Sequence, residues 1–281
     1  MIIRDAINEA SLKLKKKNIK SSLLDSEILM SKVFNKRRDY IILNSEKYLE
    51  AEKFAYFKYL INERSKGKPI AYLTGKKFFW KYEFNVNENV LIPRPETELI
   101  VEQILKISKN KKNLRILEIG IGSGCVLLSI LKEKKSFIGV GVDISLNCLK
   151  VSRNNINELK INNKINLYKS DIDNFNYGKY DLIISNPPYI KKLDLKKLDK
   201  DVINFEPKLA LDGGLDGLSK IRKIIKKSSE LMKLNGKLII EIAHDQKKKV
   251  SNILKTNGFY VNDVVKDLSK KDRCIVSTKI K

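Results

Sequence analysis

Apolar positions in the first quarter of the chain recur every three or four residues, the spacing of one face of an α-helix. Helices are predicted over residues 2–14, over 23–34 and from Ser45 to about Arg64. The third helix is followed by Gly67, a residue that suits the left-handed position after a helix end. Residues 1–68 are therefore predicted to form a small all-helical domain.

The pattern changes at Pro69 to alternating and aromatic positions, which are typical of short strands. Asn87-Glu88-Asn89 has the composition of a turn between two strand-like stretches. Residues 69–95 are predicted to form a β-hairpin linker.

From Leu114 onward, short apolar runs alternate with helical patterns. Strands are predicted over 114–119, 137–142, 165–168, 180–185, 236–242, 258–265 and 273–279, and helices over 123–132, 145–160, 217–234 and 245–256. Such alternation predicts an α/β domain, over residues 96–281, with a parallel sheet covered by helices on both faces. Only a loop separates the last two strands, so one of them is expected to run antiparallel.

Composition excludes several classes of protein. The chain is 42% hydrophobic and 32% charged, which is enough apolar material for a core, and it contains no apolar run of membrane-spanning length. Its first residues lack the continuous apolar stretch of a signal peptide, so the cytoplasm is the expected location. Three scattered cysteines and one histidine disfavour a metal site and a Ser-His-Asp triad.

The net charge of +24 has two interpretations. It could reflect contact with nucleic acid or the ribosome. It could also reflect a lysine-rich composition, and the spread of excess charge over both parts of the chain favours that second interpretation.

The first candidate ligand site follows the first strand predicted after Leu114. Glu118 precedes a loop that runs Gly120-Ile121-Gly122-Ser123-Gly124 into a helix. Glycines let the backbone pass close to a ligand, and the first N–H groups of a helix are free to bind it. Cys125 stands where the dinucleotide fingerprint requires its third glycine, which disfavours an NAD(P) oxidoreductase. The pattern instead resembles the first motif of class I S-adenosylmethionine-dependent methyltransferases; a tight turn without a ligand is the alternative.

Acidic residues follow the next two strands of this region. Asp143 ends the second, where a carboxylate can accept both hydroxyls of a ribose. A helix N-cap is the alternative role, although Ser145 could provide it. Asp171, after the third strand, is a weaker candidate for contact with an adenine edge, together with Ile172.

The third candidate site, Asn186-Pro187-Pro188-Tyr189, follows the fourth strand. Two prolines cannot continue a strand ladder, so Asn186 projects from the carboxyl end of the sheet, where open α/β sheets bind ligands. The Asn186 side-chain oxygen and the Pro187 carbonyl form a pair of acceptors suited to a planar NH₂ group, and Tyr189 would supply an aromatic wall. The box resembles that of enzymes that methylate NH₂ groups conjugated to a π-system: adenine N6, cytosine N4 and glutamine N5.

Further motifs narrow this resemblance to one family. They are Ala71-Tyr72-Leu73-Thr74-Gly75, Phe79-Trp80, the segment VLIPRPETE at 90–98, Phe205-Glu206-Pro207 and the segment LDGGLDGL at 211–218. With the Asn-Pro-Pro-Tyr box, they resemble the peptide chain release factor N5-glutamine methyltransferase family over nearly the whole chain. The resemblance implies a helical domain that grips the release factor, a hairpin linker and a Rossmann-like, seven-stranded class I methyltransferase domain.

The resemblance also implies a substrate, a methyl donor and a set of site residues. The substrate would be the glutamine of the Gly-Gly-Gln loop in class I release factors, and the donor S-adenosyl-L-methionine. The implied cofactor-binding residues are Gly120, Ile121, Gly122, Ser123, Gly124, Asp143, Asp171, Ile172 and Asn186. The implied substrate-binding residues are Asn186, Pro187, Pro188 and Tyr189, of which Asn186, Pro187 and Tyr189 are expected to be catalytic. Transfer is expected to be direct and to need no metal, and the protein is expected to act as a monomer.

Two other functions remain open from the sequence. An N6-adenine DNA or RNA methyltransferase would share the Asn-Pro-Pro-Tyr box, but the helical domain and the IPRPETE segment argue against it. A non-catalytic RNA- or ribosome-binding protein would leave the intact glycine loop unexplained. Arg94 and Glu96 could shape the substrate entrance or form a structural salt bridge, and His244 is expected to be structural.

Overall fold

The computed structural model describes residues 1–281 and divides into two compact units. Unit 1 comprises Met1–Lys76 together with Asp199–Phe205, and unit 2 comprises Lys77–Leu198 together with Glu206–Lys281. None of the helices combines the length and the apolar character that crossing a membrane requires.

The helices are α1 (Ile3–Lys15), α2 (Ser22–Phe34), α3 (Arg38–Leu43), α4 (Ala51–Ser65), α5 (Ile70–Thr74), α6 (Glu98–Ile107), α7 (Cys125–Glu133), α8 (Leu146–Leu159), α9 (Lys200–Phe205), α10 (Ser219–Leu231) and α11 (Lys247–Thr256). The strands are β1 (Lys76–Phe79), β2 (Tyr82–Asn85), β3 (Arg115–Ile119), β4 (Ile138–Asp143), β5 (Ile165–Lys169), β6 (Tyr180–Ser185), β7 (Met232–Glu241), β8 (Phe259–Lys266) and β9 (Asp272–Lys279). Short 3₁₀ helices include Pro95–Thr97 and Ile172–Asn174.

Unit 1 is helical, as predicted, but the predicted first residue of its third helix, Ser45, was wrong. The long helix α4 begins at Ala51, and the short helix α3 precedes it. Residues 45–48 are not helical because the start of the chain pairs with them: the Ile3 and Arg4 amides donate to the carbonyls of Lys47 and Ser45 at 3.0 and 2.9 Å. Gly67 has a φ of +99° just after α4, which confirms the predicted helix end.

The predicted hairpin exists as the two-stranded sheet β1-β2, but its turn is not at Asn87-Glu88-Asn89. The chain reverses at Trp80 and Lys81, and Trp80 takes a left-handed φ of +57°. Contacts far along the chain hold that turn, since the Trp80 amide donates to Glu98 at 2.7 Å and its indole donates to Glu133 at 3.3 Å. The asparagines do form a turn, in which the Val90 amide donates to the Asn87 carbonyl at 3.1 Å, but this turn follows β2 and does not join the two strands.

Unit 2 is built on a seven-stranded sheet of order β5-β4-β3-β6-β7-β9-β8. All seven predicted strands are present, and β9 runs antiparallel between β7 and β8, as expected for one of the last two. One core covers one face with α6, α7 and α8, and a second covers the other face with α10 and α11. Successive residues of β3, such as Ile116 and Leu117, enter opposite cores because strand side chains alternate.

The parallel strands β3, β4 and β6 are adjacent and end at the same edge of the sheet. The glycine loop, Asp143 and the Asn-Pro-Pro-Tyr box follow or end these strands. The topology therefore brings the three candidate sites together.

Candidate active site

A cavity of about 350 Å³ lies at this edge of unit 2. The residues predicted from the sequence that line it are Gly120, Ile121, Gly122, Ser123, Asp143, Asp171, Ile172, Asn186, Pro187 and Pro188. Gly124 and Tyr189 are not among its lining residues.

The glycine loop forms one wall of the cavity with its backbone. Gly120 and Gly122 have φ values of +75° and +55°, and a Cβ at either position would meet no atom within 4 Å. These two glycines thus face open space in which a ligand can approach the main chain. Gly124 has a different role, because a Cβ there would lie 2.9 Å from Leu128 Cδ1 of α7. It allows the helix to pack closely against the loop.

Asp143 is tied to the glycine loop. Its Oδ2 accepts the Gly122 amide at 3.0 Å and its Oδ1 accepts the Ser145 amide at 2.9 Å. Ser145 provides the N-cap of α8, since its hydroxyl accepts the Cys148 amide at 3.2 Å. Each carboxylate oxygen can accept more than one hydrogen bond, so Asp143 retains capacity for ligand hydroxyls. Burial raises its pKa above the ordinary value despite these bonds.

Acidic and basic side chains both line the cavity, and the basic ones are Arg94, Lys220 and Lys223. Glu118 and Asp171 line it together with Asp143. Glu118 accepts the Leu127 amide of α7 at 3.1 Å, and burial, with a smaller contribution from the Asp143 carboxylate, raises its pKa well above the ordinary value. Asp171 accepts the Asp173 amide at 3.0 Å and so begins the 3₁₀ helix that carries Ile172.

Asn186, Pro187 and Pro188 of the Asn-Pro-Pro-Tyr box also line the cavity, next to the glycine loop because β6 and β3 are adjacent. The position of the box is fixed by the preceding Ser185, whose hydroxyl donates to the Ile119 carbonyl of β3 at 2.8 Å. Asn186 donates from Nδ2 to the Thr97 hydroxyl at 3.0 Å, and its Oδ1 makes no hydrogen bond within the protein. The Asn186 oxygen is therefore available as an acceptor.

Tyr189 lies behind the wall instead of forming it. Its hydroxyl donates to Glu241 Oε1 at 3.3 Å and its ring packs against the core that contains α10 and α11. Burial and the neighbouring Glu241 carboxylate raise the pKa of Tyr189 to about 12, so it remains a neutral phenol. The structure thus gives Tyr189 a different place from the predicted aromatic wall.

The segment 211–218 packs against the backbone of the Asn-Pro-Pro-Tyr box. Gln246 donates from Nε2 to the carbonyls of Tyr189 and Gly217, at 3.1 and 3.0 Å. A Cβ at Gly217 would lie 2.5 Å from the Tyr189 carbonyl oxygen, and one at Gly213 would lie 2.9 Å from that of Pro188. Only glycines allow the two backbones to lie this close together. This contact explains the glycines of the LDGGLDGL segment.

Two residues of the site, Thr97 and Glu241, were missed from the sequence. They are 3% and 2% exposed, and the Thr97 hydroxyl donates to Glu241 Oε2 at 2.7 Å. Burial raises the pKa of Glu241 to about 7. Glu241 ends β7, at the same edge of the sheet as the other sites, and this position was the available signal.

Arg94 forms a salt bridge, which was one of the two roles left open for it. It lines the cavity and pairs with Glu206, a buried carboxylate that also accepts the Ile92 amide at 3.2 Å. Glu96 and His244 are exposed.

The residues present fit S-adenosylmethionine. The Cβ-free wall at Gly120 and Gly122 can take a ligand against the backbone, and Asp143 has acceptor capacity for hydroxyls.

Comparisons with known proteins agree with this arrangement. The family model described as PrmC N-terminal domain matches residues 5–75, and the one described as methyltransferase small domain matches residues 95–215. The release factor glutamine methyltransferase of Clostridium acetobutylicum is 37% identical over 88% of this chain and 87% of its own length. That of Buchnera aphidicola subsp. Baizongia pistaciae is 36% identical over 89% of each chain. The chain belongs to the release factor glutamine methyltransferase family.

Some relatives are longer than this chain. A bifunctional methyltransferase of Rickettsia felis is 34% identical over 88% of this chain, which spans about half (52%) of that protein's length.

Two solved structures with low sequence identity to this chain support its fold. A methyltransferase from Pyrococcus furiosus gives a TM-score of 0.54 at 17% identity, over 70% of this chain and 89% of its own. The ribosomal protein L11 methylase of Lactobacillus delbrueckii subsp. bulgaricus gives 0.50 at 17% identity, over 67% and 81%. Both show the class I methyltransferase fold that was predicted from the sequence.

Proposed function

We propose that this protein transfers a methyl group from S-adenosyl-L-methionine to the N5 amide nitrogen of the glutamine in the Gly-Gly-Gln motif of class I peptide chain release factors. The observation that carries the proposal is the unpaired Asn186 oxygen in the same cavity as the glycine loop. The names of the family relatives supply the substrate class.

In this proposal the cofactor lies against the glycine loop. The backbone of Gly120, Ile121, Gly122 and Ser123 forms its wall, Asp143 accepts ribose hydroxyls, and Asp171 and Ile172 flank the adenine. Gly124 acts indirectly, by letting α7 approach the loop. When bound, S-adenosylmethionine supplies an electrophilic methyl group on a sulfonium.

The substrate amide nitrogen is a weak nucleophile because its lone pair is delocalised into the carbonyl. Asn186 Oδ1 and the Pro187 carbonyl accept its two N–H groups, which orients the lone pair and stabilises the positive charge that develops on nitrogen. Pro188 keeps the backbone extended, and Tyr189 acts from behind the box. No base is needed before transfer, since the nitrogen loses its proton afterwards.

The proposal assigns residues 1–68 to release factor recognition, 69–95 to a linker and 96–281 to methyl transfer. It also includes action as a monomer in the cytoplasm, where release factors meet ribosomes. The PrmC N-terminal family match over residues 5–75 supports the first assignment.

The test is intact-mass spectrometry of a purified class I release factor after incubation with the protein and S-adenosylmethionine. We expect a gain of about 14 Da, the mass of a methylene, which peptide mapping places on the Gly-Gly-Gln glutamine. Asn186→Ala should lower the rate on the order of 10²-fold, as loss of a preorganised hydrogen-bonding group does.

A matched control is Asn252→Ala, which changes an exposed asparagine of α11 outside the cavity lining and should leave the rate unchanged. Methylation of adenine in DNA or RNA, with none on the release factor, would establish the alternative N6-adenine activity instead. Near-normal turnover by Asn186→Ala would refute the role of this side chain.

A further inference from the structure

A chain of four polar side chains runs from the cavity wall into unit 2. Asn186 Nδ2 donates to Thr97 Oγ1 at 3.0 Å, and the Thr97 hydroxyl donates to Glu241 Oε2 at 2.7 Å. The other Glu241 oxygen accepts the Tyr189 hydroxyl at 3.3 Å. Thr97 and Glu241 are both buried; Thr97 lines the cavity with Asn186, whereas Glu241 is not among the lining residues.

The direction of these hydrogen bonds follows from the ionised carboxylate. Because ionised Glu241 can only accept, the one proton of the Thr97 hydroxyl points to it. The Thr97 oxygen can then only accept a hydrogen bond from Asn186. This requires the NH₂ group of the Asn186 carboxamide, and not its oxygen, to face Thr97. The Asn186 oxygen is left without a protein partner, as the structure shows.

We propose that Thr97 and Glu241 are positioning residues that hold the Asn186 carboxamide with its oxygen available to the substrate NH₂ group. The inference rests on the proposed function. A carboxamide turned by 180° would present an NH₂ group to the substrate NH₂ group, two donors facing each other, and could not bind it.

Glu241 is surrounded by groups that act on its charge. Arg273 and Cys274 face it from β9, Cys125 from α7 and Glu96 from the 3₁₀ helix before α6. Arg273 and the hydrogen bonds of Thr97 and Tyr189 favour the ionised form, but burial opposes them more strongly. With its pKa raised to about 7 by burial, Glu241 changes charge near neutral pH.

Protonation at Oε2 reverses the order of donors. The carboxylic acid then donates to Thr97, whose own proton turns to Asn186 and selects the oxygen end of the carboxamide. A fall in turnover at low pH is the expected consequence.

Thr97 variants test the positioning role. Thr97→Ser keeps the hydroxyl and should retain turnover within about threefold, whereas the isosteric Thr97→Val should lower kcat on the order of tenfold, the worth of one hydrogen bond. The dissociation constant of S-adenosylmethionine, measured by calorimetry, should be unchanged in both. A uniform loss in the two variants would indicate only a structural role.

Glu241→Gln tests the titration. The wild-type kcat should rise between about pH 6 and 8, and the variant should show no such rise. A readout without catalysis is the ¹⁵N NMR signal of the Asn186 side-chain NH₂ in the cofactor-free protein, assigned by its loss in Asn186→Ala. This signal should shift with pH in the wild type and stay constant in Glu241→Gln.

The outcomes separate this inference from the proposed function. A wild type that does not methylate the release factor refutes the function, while the NMR titration still decides the positioning role. An Asn186 signal with the same pH response in the wild type and Glu241→Gln overturns the inference, as does full kcat in Thr97→Val. If Thr97→Val fails to fold, the pH dependence of Glu241→Gln and the NMR titration decide between the two roles.

Discussion

At the residue scale, the three glycines of the loop have left-handed backbones for two different reasons. Gly120 and Gly122 leave the cavity wall open, while Gly124 leaves room for Leu128. The sequence pattern treats all three alike. Only the surroundings of each Cβ position distinguish ligand access from helix packing.

A pair of variants tests this distinction. Gly122→Ala should weaken the binding of S-adenosylmethionine by tenfold or more, because the new methyl group projects into the cavity. Gly124→Ala should instead lower the thermal midpoint, because overpacking against Leu128 adds about 1–3 kcal/mol to the cost of a left-handed alanine. Calorimetric titration and thermal unfolding measure the two effects. Equal losses of stability in both variants would contradict the assignment.

At the element scale, unit 1 holds two helices to α4 through one buried arginine. Arg64 of α4 donates to Asp25 of α2 at 2.7 Å and to Asp201 of α9 at 3.0 Å. It also donates to the carbonyls of Gly67 and Lys68, at 3.3 and 3.2 Å. The partners Asp25 and Asp201 lie 39 and 137 positions from Arg64 along the chain, so no local pattern could indicate this cluster.

Arg64→Ala should destabilise unit 1 by about 3 kcal/mol, because it leaves the buried Asp25 carboxylate without its cation. Arg37→Ala is the matched control, since its ion pair with Asp39 is solvent-exposed and worth less than about 0.5 kcal/mol. Urea unfolding followed by circular dichroism compares the two. Similar losses in the free energy of unfolding would show that the buried ion pair contributes no more stability than the exposed one.

At the scale of the whole molecule, the net charge of +24 affects the stability of the folded state. An excess of like charge repels itself and weakens the compact state, and dissolved salt screens that repulsion. This consequence holds whether the lysines bind a partner or reflect composition.

We expect the thermal midpoint to rise by a few degrees when sodium chloride increases from about 10 to 300 mM, as the Debye length falls. Differential scanning calorimetry measures the change, and a series with an uncharged osmolyte at equal osmolality controls for general solute effects. A midpoint that falls with salt would mean that attractive ion pairs outweigh the net repulsion.

The sequence by itself determined the order of the strands and helices of unit 2 and the meeting of three motifs. Apolar periodicity locates the elements, and parallel strands necessarily bring the glycine loop, Asp143 and the Asn-Pro-Pro-Tyr box to one edge. Both of these depend on spacing along the chain, which a single sequence displays directly.

The tertiary structure alone decided what stands behind those motifs. It placed the hairpin turn at Trp80, turned Tyr189 towards Glu241 and put Thr97 against Asn186, 89 positions away along the chain. Such choices depend on which buried donors and acceptors meet once the layers have packed. Because a buried polar group must find a partner in the folded core, packing and not local spacing selects it.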